Sequence, residues 1–324
     1  MIYNRSLQGR FVSGKYTPLI LLFLSVVVWG IGLFCLPMPA STLWPMHMFS
    51  VPGGLLAVVV PLLCYVVVAL LLGMLHLHER RISWFTSLYF FLISVSVFIH
   101  CDIVCAVAAV LFMTAMTALL SCHPGEGAEG GLFTAYALLG FMSCLLPQFL
   151  FMLPLFVVYL FVANVFGLRR FLAAMFGLLM PFWFLFGIIY IWPQVAAVVP
   201  DSDVLLQCLA FFDVVQFTPL KILLLVTELA IMLPAMTMFV GSSVPSKPFL
   251  RRRLLFIMIT NSYLLVLSIV SAPNFEMLYA WRVPGIAVLA SYLFSQKVTK
   301  LSSIYFLIIS IMWLAVAVFG IWVI

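Results

Sequence analysis

From Thr17 to Ile324 the chain repeatedly runs for seventeen or more residues without an Asp, Glu, Lys or Arg. Coiled as a helix, each such run is long enough to cross a hydrocarbon layer of roughly 30 Å at about 1.5 Å per residue. Inside lipid every backbone amide needs a partner within the protein, which leaves helices or a closed barrel. Barrel strands alternate apolar and polar residues over about ten positions, and stretches such as 55–75 and 220–240 do not alternate. The expected fold is all-α, a polytopic transmembrane helical bundle. Composition excludes the soluble alternative: 66% of residues are hydrophobic and 7% charged, too few charges to clothe a water-exposed surface.

The spans are expected near 17–35, 53–75, 84–100, 103–121, 131–146, 149–166, 171–192, 219–241, 253–271, 281–296 and 302–323, eleven in all, forming a single transmembrane domain over 1–324. The first apolar stretch follows Arg5, Arg10 and Lys15, the layout of a signal peptide. It is long for a signal core, however, and Pro37-Met38-Pro39-Ala40-Ser41 is a poor cleavage site, so the stretch is read as a span. With the N-terminus cytoplasmic, the inner links hold thirteen cations: Arg5, Arg10, Lys15, Arg80, Arg81, Arg169, Arg170, Lys247, Arg251, Arg252, Arg253, Lys297 and Lys300. The outer links keep two, Lys221 and Arg282. This asymmetry sets the orientation and puts the C-terminus outside. Arg80, Arg81, Arg169, Arg170 and the Arg251–Arg253 cluster are expected to fix topology and meet anionic lipid headgroups.

Two outer links have content. The first, 36–52, carries Pro37, Pro39, Trp44, Pro45 and His47 but no charge, and reads as an interfacial cap. In the second, Asp201-Ser202-Asp203 is a helix-start signal. The following 204–217 is too short to span and is expected to lie in the outer interface as a helix. The glycine-rich turn 121–131 lacks the lysine and strand context of a phosphate loop. Cys35, Cys64, Cys101, Cys105, Cys122, Cys144 and Cys208 include no C-x-x-C pair, so neither a disulfide framework nor a zinc site is expected. No metal and no cofactor are expected, and the positive charges, confined to short links, are not a nucleic-acid signal.

A charge inside a span costs about 2.5–3.5 kcal/mol on insertion scales, so each one needs a reason. Glu228, in the middle of 220–240, is the clearest case. Protonation or a partner on a neighbouring helix would lower its cost, and it reads either as a proton or ligand site or as a structural hydrogen-bonding group. Pro234 frees a backbone carbonyl near residue 230 beside it. On the outer side, Asp102 follows His100 in a tight turn, where with His47 it could build an acid–base site or serve as a solvated turn former. Glu276 and Arg282 flank the short span 281–296. They read as an ion pair, as Arg282 snorkelling to the interface, or as a dock for a lipid phosphate together with Lys221.

Several runs belong together: Glu79-Arg80-Arg81-Ile82-Ser83-Trp84-Phe85, then Leu145-Leu146-Pro147-Gln148, then Gly167-Leu168-Arg169-Arg170-Phe171, then Phe249-Leu250-Arg251-Arg252-Arg253, and Arg282-Val283-Pro284. In hydropathy and in Arg and Pro placement the chain, from about 10 to 324, resembles an uncharacterised family of multi-pass inner-membrane proteins of Bacteroidota, built on a domain of unknown function. The resemblance implies the cell inner (cytoplasmic) membrane of a Gram-negative envelope and brings no catalytic residue with it. A looser likeness is to membrane glycosyltransferases that use polyprenol-phosphate sugars. Those carry an acid in the first outer loop, and here that loop has no carboxylate. Three functions follow as expectations. The first is a non-catalytic component of envelope assembly acting through helix–helix or lipid contacts. The second is a carrier or flippase for an apolar or lipid-linked substrate. The third is an enzyme on a lipid-linked substrate at the outer leaflet. The partners expected are the lipid bilayer, and beyond it other membrane proteins or a lipid-linked substrate.

Overall fold

The computed structural model describes residues 14, 16–35, 55–75, 83–95, 103–122, 127–192, 218–240, 248–271, 274–295 and 300–322. These form eleven α-helices: α1 (Thr17–Cys35), α2 (Leu55–Met74), α3 (Ser83–Val95), α4 (Ile103–Ser121), α5 (Ala128–Leu145), α6 (Leu153–Val162), α7 (Leu168–Ile191), α8 (Pro219–Val240), α9 (Pro248–Val270), α10 (Phe275–Ser295) and α11 (Lys300–Trp322). A 3₁₀ segment, Pro147–Met152, precedes α6. Seven helices, α4, α5 and α7 to α11, are long and apolar enough to cross a membrane. Shorter apolar helical stretches are Thr17–Val28, Val59–Met74, Phe85–Ser94 and Pro147–Val162.

The bundle is organised around α10, which packs against α3, α4, α8 and α9. Some 89% of its apolar window is buried, against 17% for α7 and 22% for α11. Sequence reasoning started this helix at residue 281; it starts six residues earlier, at Phe275. Glu276 and Arg282 made the first two turns look like a link, yet the intervening Met277, Leu278, Tyr279, Ala280 and Trp281 are all buried. Trp281 is held between the rings of Phe112 and Phe149, with centroids at 5.4 and 4.6 Å.

Helix α7 lies at the edge, attached mainly through α5. Two glycines make that attachment possible. A Cβ on Gly140 would fall 2.4 Å from the Leu178 carbonyl oxygen, and one on Gly177 would fall 2.4 Å from that of Phe133. The backbones touch where lipid would otherwise intervene, as in the small-residue seams of membrane helix pairs. The opposite side of α7 presents Phe176, Trp183, Phe186 and Tyr190 outward.

Helix ends meet on one face. The C-terminal carbonyls of a helix lack intrahelical partners and carry its negative dipole end. Arg253, in the first turns of α9, covers two such ends. Its Nη1 donates to the Leu75 carbonyl at 2.6 Å, and its Nε and Nη2 donate to that of Leu120 at 3.1 and 2.8 Å. Helix α6 closes with Asn164 in the left-handed region (φ 57°) and with bonds from Val165 N to Leu160 O and from Asn164 N to Phe161 O, a Schellman stop. Arg252 Nη1 then takes the Ala163 carbonyl at 3.2 Å. So α2, α4 and α6 end where α9 begins. Arg251, the third member of the triplet, is exposed and lies over the Phe239 ring at 6.0 Å. The expected role of this cluster, topology and headgroup contact, is therefore joined by direct capping of three helices.

Candidate functional site

Helices α8 and α10 run side by side in the same direction. Thr218 Oγ1 accepts the Lys221 backbone N–H at 3.4 Å, which caps the start of α8. One turn in, the Lys221 ammonium lies 5.1 Å from the centroid of the Phe275 ring, at the first residue of α10. Seven residues further along each helix, Glu228 meets Arg282, with Nη2 3.4 Å from Oε1. Seven residues are two turns, about 10.5 Å, so the two contacts fix both the register and the parallel sense of the pair.

Both members of the ion pair are fully buried. Side chains in a helix lean toward its N-terminus, and the Arg282 guanidinium accordingly lies 5.6 Å from the Tyr279 ring centroid and 5.8 Å from that of Phe275. The pair is electrostatic rather than hydrogen-bonded: Arg282 Nε, Nη1 and Nη2 and both Glu228 oxygens have no hydrogen-bond partner. A carboxylate and a guanidinium in full register would instead form two parallel bonds near 2.8 Å. Much of the donor capacity of this arginine is left over.

The carbonyl released by Pro234 is accounted for. Proline supplies no N–H to the residue four back, here Ala230, and the Tyr305 hydroxyl of α11 donates to that oxygen. Helix α10 also carries an internal proline, Pro284, two residues past Arg282. Each helix of the ion pair thus carries a proline near its charge.

The other candidates separate. Arg282, expected at the outer edge of a span and beside Glu276, sits two turns inside α10 against Glu228 and is fully buried. Glu276 is exposed in the first turn of α10, where a negative charge suits the helix N-terminus. Arg170 Nε lies 3.5 Å from Glu129 Oε1, with both side chains partly exposed, which ties the starts of α7 and α5 together. Asp102, His47, His100, Arg80, Arg81 and the interfacial helix at 204–217 lie outside the described residues. Among the described residues no group of three His, Cys, Asp or Glu side chains could hold a metal. Gln148, which falls between the expected spans 131–146 and 149–166, is buried with its Oε1 unpartnered.

Sequence reasoning supplied Glu228 and Arg282 separately and missed that they are partners. The signal was present. Once α10 is allowed to begin at Phe275, both charges lie well inside their helices, Glu228 at the tenth residue of α8 and Arg282 at the eighth of α10. Among the described residues, a helical bundle with seven helices long and apolar enough to cross a membrane, two of them joined by a buried ion pair, defines a multi-pass membrane protein. No protein-family model, curated protein or solved structure matches the chain.

Proposed function

We propose that the protein is a component of the cell inner membrane with eleven crossings, the N-terminus cytoplasmic and the C-terminus outside, and that it serves envelope assembly without catalysing a reaction. It works through helix–helix contacts and bound lipid. The observation behind this reading is that the described charges are engaged with the protein itself. The buried Glu228 is held by Arg282, the partly exposed Glu129 by Arg170, and Arg252 and Arg253 close helix ends. An acid–base catalyst needs a carboxylate within reach of substrate, and the described carboxylates offer none in the bundle interior. Purification of the full chain in mild detergent should recover a stoichiometric membrane partner. The same partner should be recovered with the apolar double variant Glu228→Met, Arg282→Met. A homogeneous monomer from both preparations would sink the reading.

The prolines at 234 and 284 favour one second reading, a carrier or flippase for an apolar or lipid-linked substrate. Discontinuous helices around a midplane site are how many carriers build their binding sites. In that case Glu228→Gln abolishes transport in proteoliposomes while leaving the fold intact, and a fully active variant excludes the carrier.

A further inference from the structure

Lys221, Phe275 and Arg282 hold two cations within 6 Å of one aromatic ring, at 5.1 and 5.8 Å from its centroid. Arg282 is fully buried, and its Nε, Nη1 and Nη2 have no hydrogen-bond acceptor. A guanidinium shut away from water and not hydrogen-bonded calls for an acceptor. The starts of α8 and α10, both positive dipole ends, lie on this side of the pair. Adding Lys221, Arg282 and Glu228 leaves one net positive charge. Glu276, exposed in the first turn of α10, is not among the groups these contacts bring to the ring.

We propose that this cluster binds the phosphate of a membrane lipid headgroup whose net charge is −1, one that brings no cation of its own. The phosphate bridges the Lys221 ammonium and the guanidinium donors that Glu228 leaves unused, so that Lys221, phosphate, Arg282 and Glu228 alternate in sign and sum to zero. Glu228 keeps its place and orients the arginine. The two unesterified oxygens of the phosphodiester suit the planar fork of a guanidinium better than the single contact it now has. A lipid is favoured over a free ion by what lies alongside. Ile222, Val226, Leu229 and Leu233 form an exposed apolar stripe one residue round α8 from the line of Lys221 and Glu228. A headgroup held at half-buried Lys221 leaves its acyl chain along that stripe.

This inference rests on the lipid-contact part of the proposed function and is tested apart from it. The full chain, purified in detergent, is titrated with phosphatidylglycerol and with phosphatidylcholine, and bound lipids are counted by native mass spectrometry. The wild type should retain one phosphatidylglycerol in preference to phosphatidylcholine. Lys221→Gln should lose roughly fivefold in that affinity, and Lys221→Arg should restore it. Lys221 is half-buried at a helix end, so these variants keep the fold even if Arg282→Gln does not. Equal binding of the two lipids, or full affinity in Lys221→Gln, overturns the proposal. Displacement of the lipid by millimolar inorganic phosphate overturns the lipid assignment in favour of a free anion. Partner recovery by Lys221→Gln is measured in the same preparations, which keeps a failure of lipid binding distinct from a failure of the assembly role.

Discussion

The arginine triplet offers the sharpest test of how this bundle is held together. If Arg251, Arg252 and Arg253 only set topology, they are interchangeable positive charges and truncating any one has little effect on stability. The structure ranks them instead. Arg253 makes three hydrogen bonds to the terminal carbonyls of two helices and lies 3.9 Å from the centroid of the Phe249 ring. Hydrogen bonds to a charged group contribute about 1.5–3 kcal/mol each, and carbonyls left without a donor add to the loss. Because two of the bonds share one acceptor and the residue is part-exposed, Arg253→Ala should cost about 3–4 kcal/mol rather than the full sum. Arg252 makes one bond, so Arg252→Ala should cost about 1–1.5 kcal/mol. Arg251→Ala should stay within about 0.5 kcal/mol. Arg253→Lys keeps the charge but cannot span two helix ends with a point-like ammonium, and it should recover less than half of the loss. Denaturant unfolding in mixed micelles, followed by Trp fluorescence, measures all four. Equal effects at the three positions, or full rescue by lysine, would refute the capping argument.

Further expectations follow from the same contacts. Removing one member of the buried pair, Glu228→Ala or Arg282→Ala, should destabilise by about 3–5 kcal/mol, whereas methionine at both positions should be near neutral; strictly additive single effects in a double-mutant cycle would contradict the pairing. Gly177→Ala drives a methyl group into the Phe133 carbonyl and should cost about 1–3 kcal/mol in thermal stability, while the same change at open Gly187 should be silent. Cys122 is buried, and burial pushes its thiol up to about 11. In a variant with no other cysteine it should resist maleimide at pH 7, where about one thiol in ten thousand is ionised, and react promptly after denaturation. Labelling at an ordinary rate in the native protein would contradict this burial.

The existence of the helices was legible because hydropathy alone decides it. Where α4, α8 and α11 lie, sequence and structure differ by only a residue or two at the described ends. The first turns of α10 were not legible, since polar residues in a helix that is buried all round look like a link when read singly. The role of Arg253 was hidden for a different reason. Its acceptors are 133 and 178 residues away in sequence, and a carbonyl in need of a donor leaves no mark on residue type. Pro234 did leave one. The freed carbonyl near residue 230 could be read from the sequence, although its donor, Tyr305 on another helix, could not.

The distance between Arg253 and the helix ends it covers bears on biosynthesis. A membrane protein is threaded into the bilayer from its N-terminus, and α2 and α4 are complete long before α9 leaves the ribosome. Until it does, the Leu75 and Leu120 carbonyls lack the donor they find in the finished protein. The early half of the chain is thus inserted in an unfinished state, and a single residue made in the last third completes it. Chains truncated before residue 253 should accordingly be recognised as immature by membrane proteases, even though every span they contain is intact.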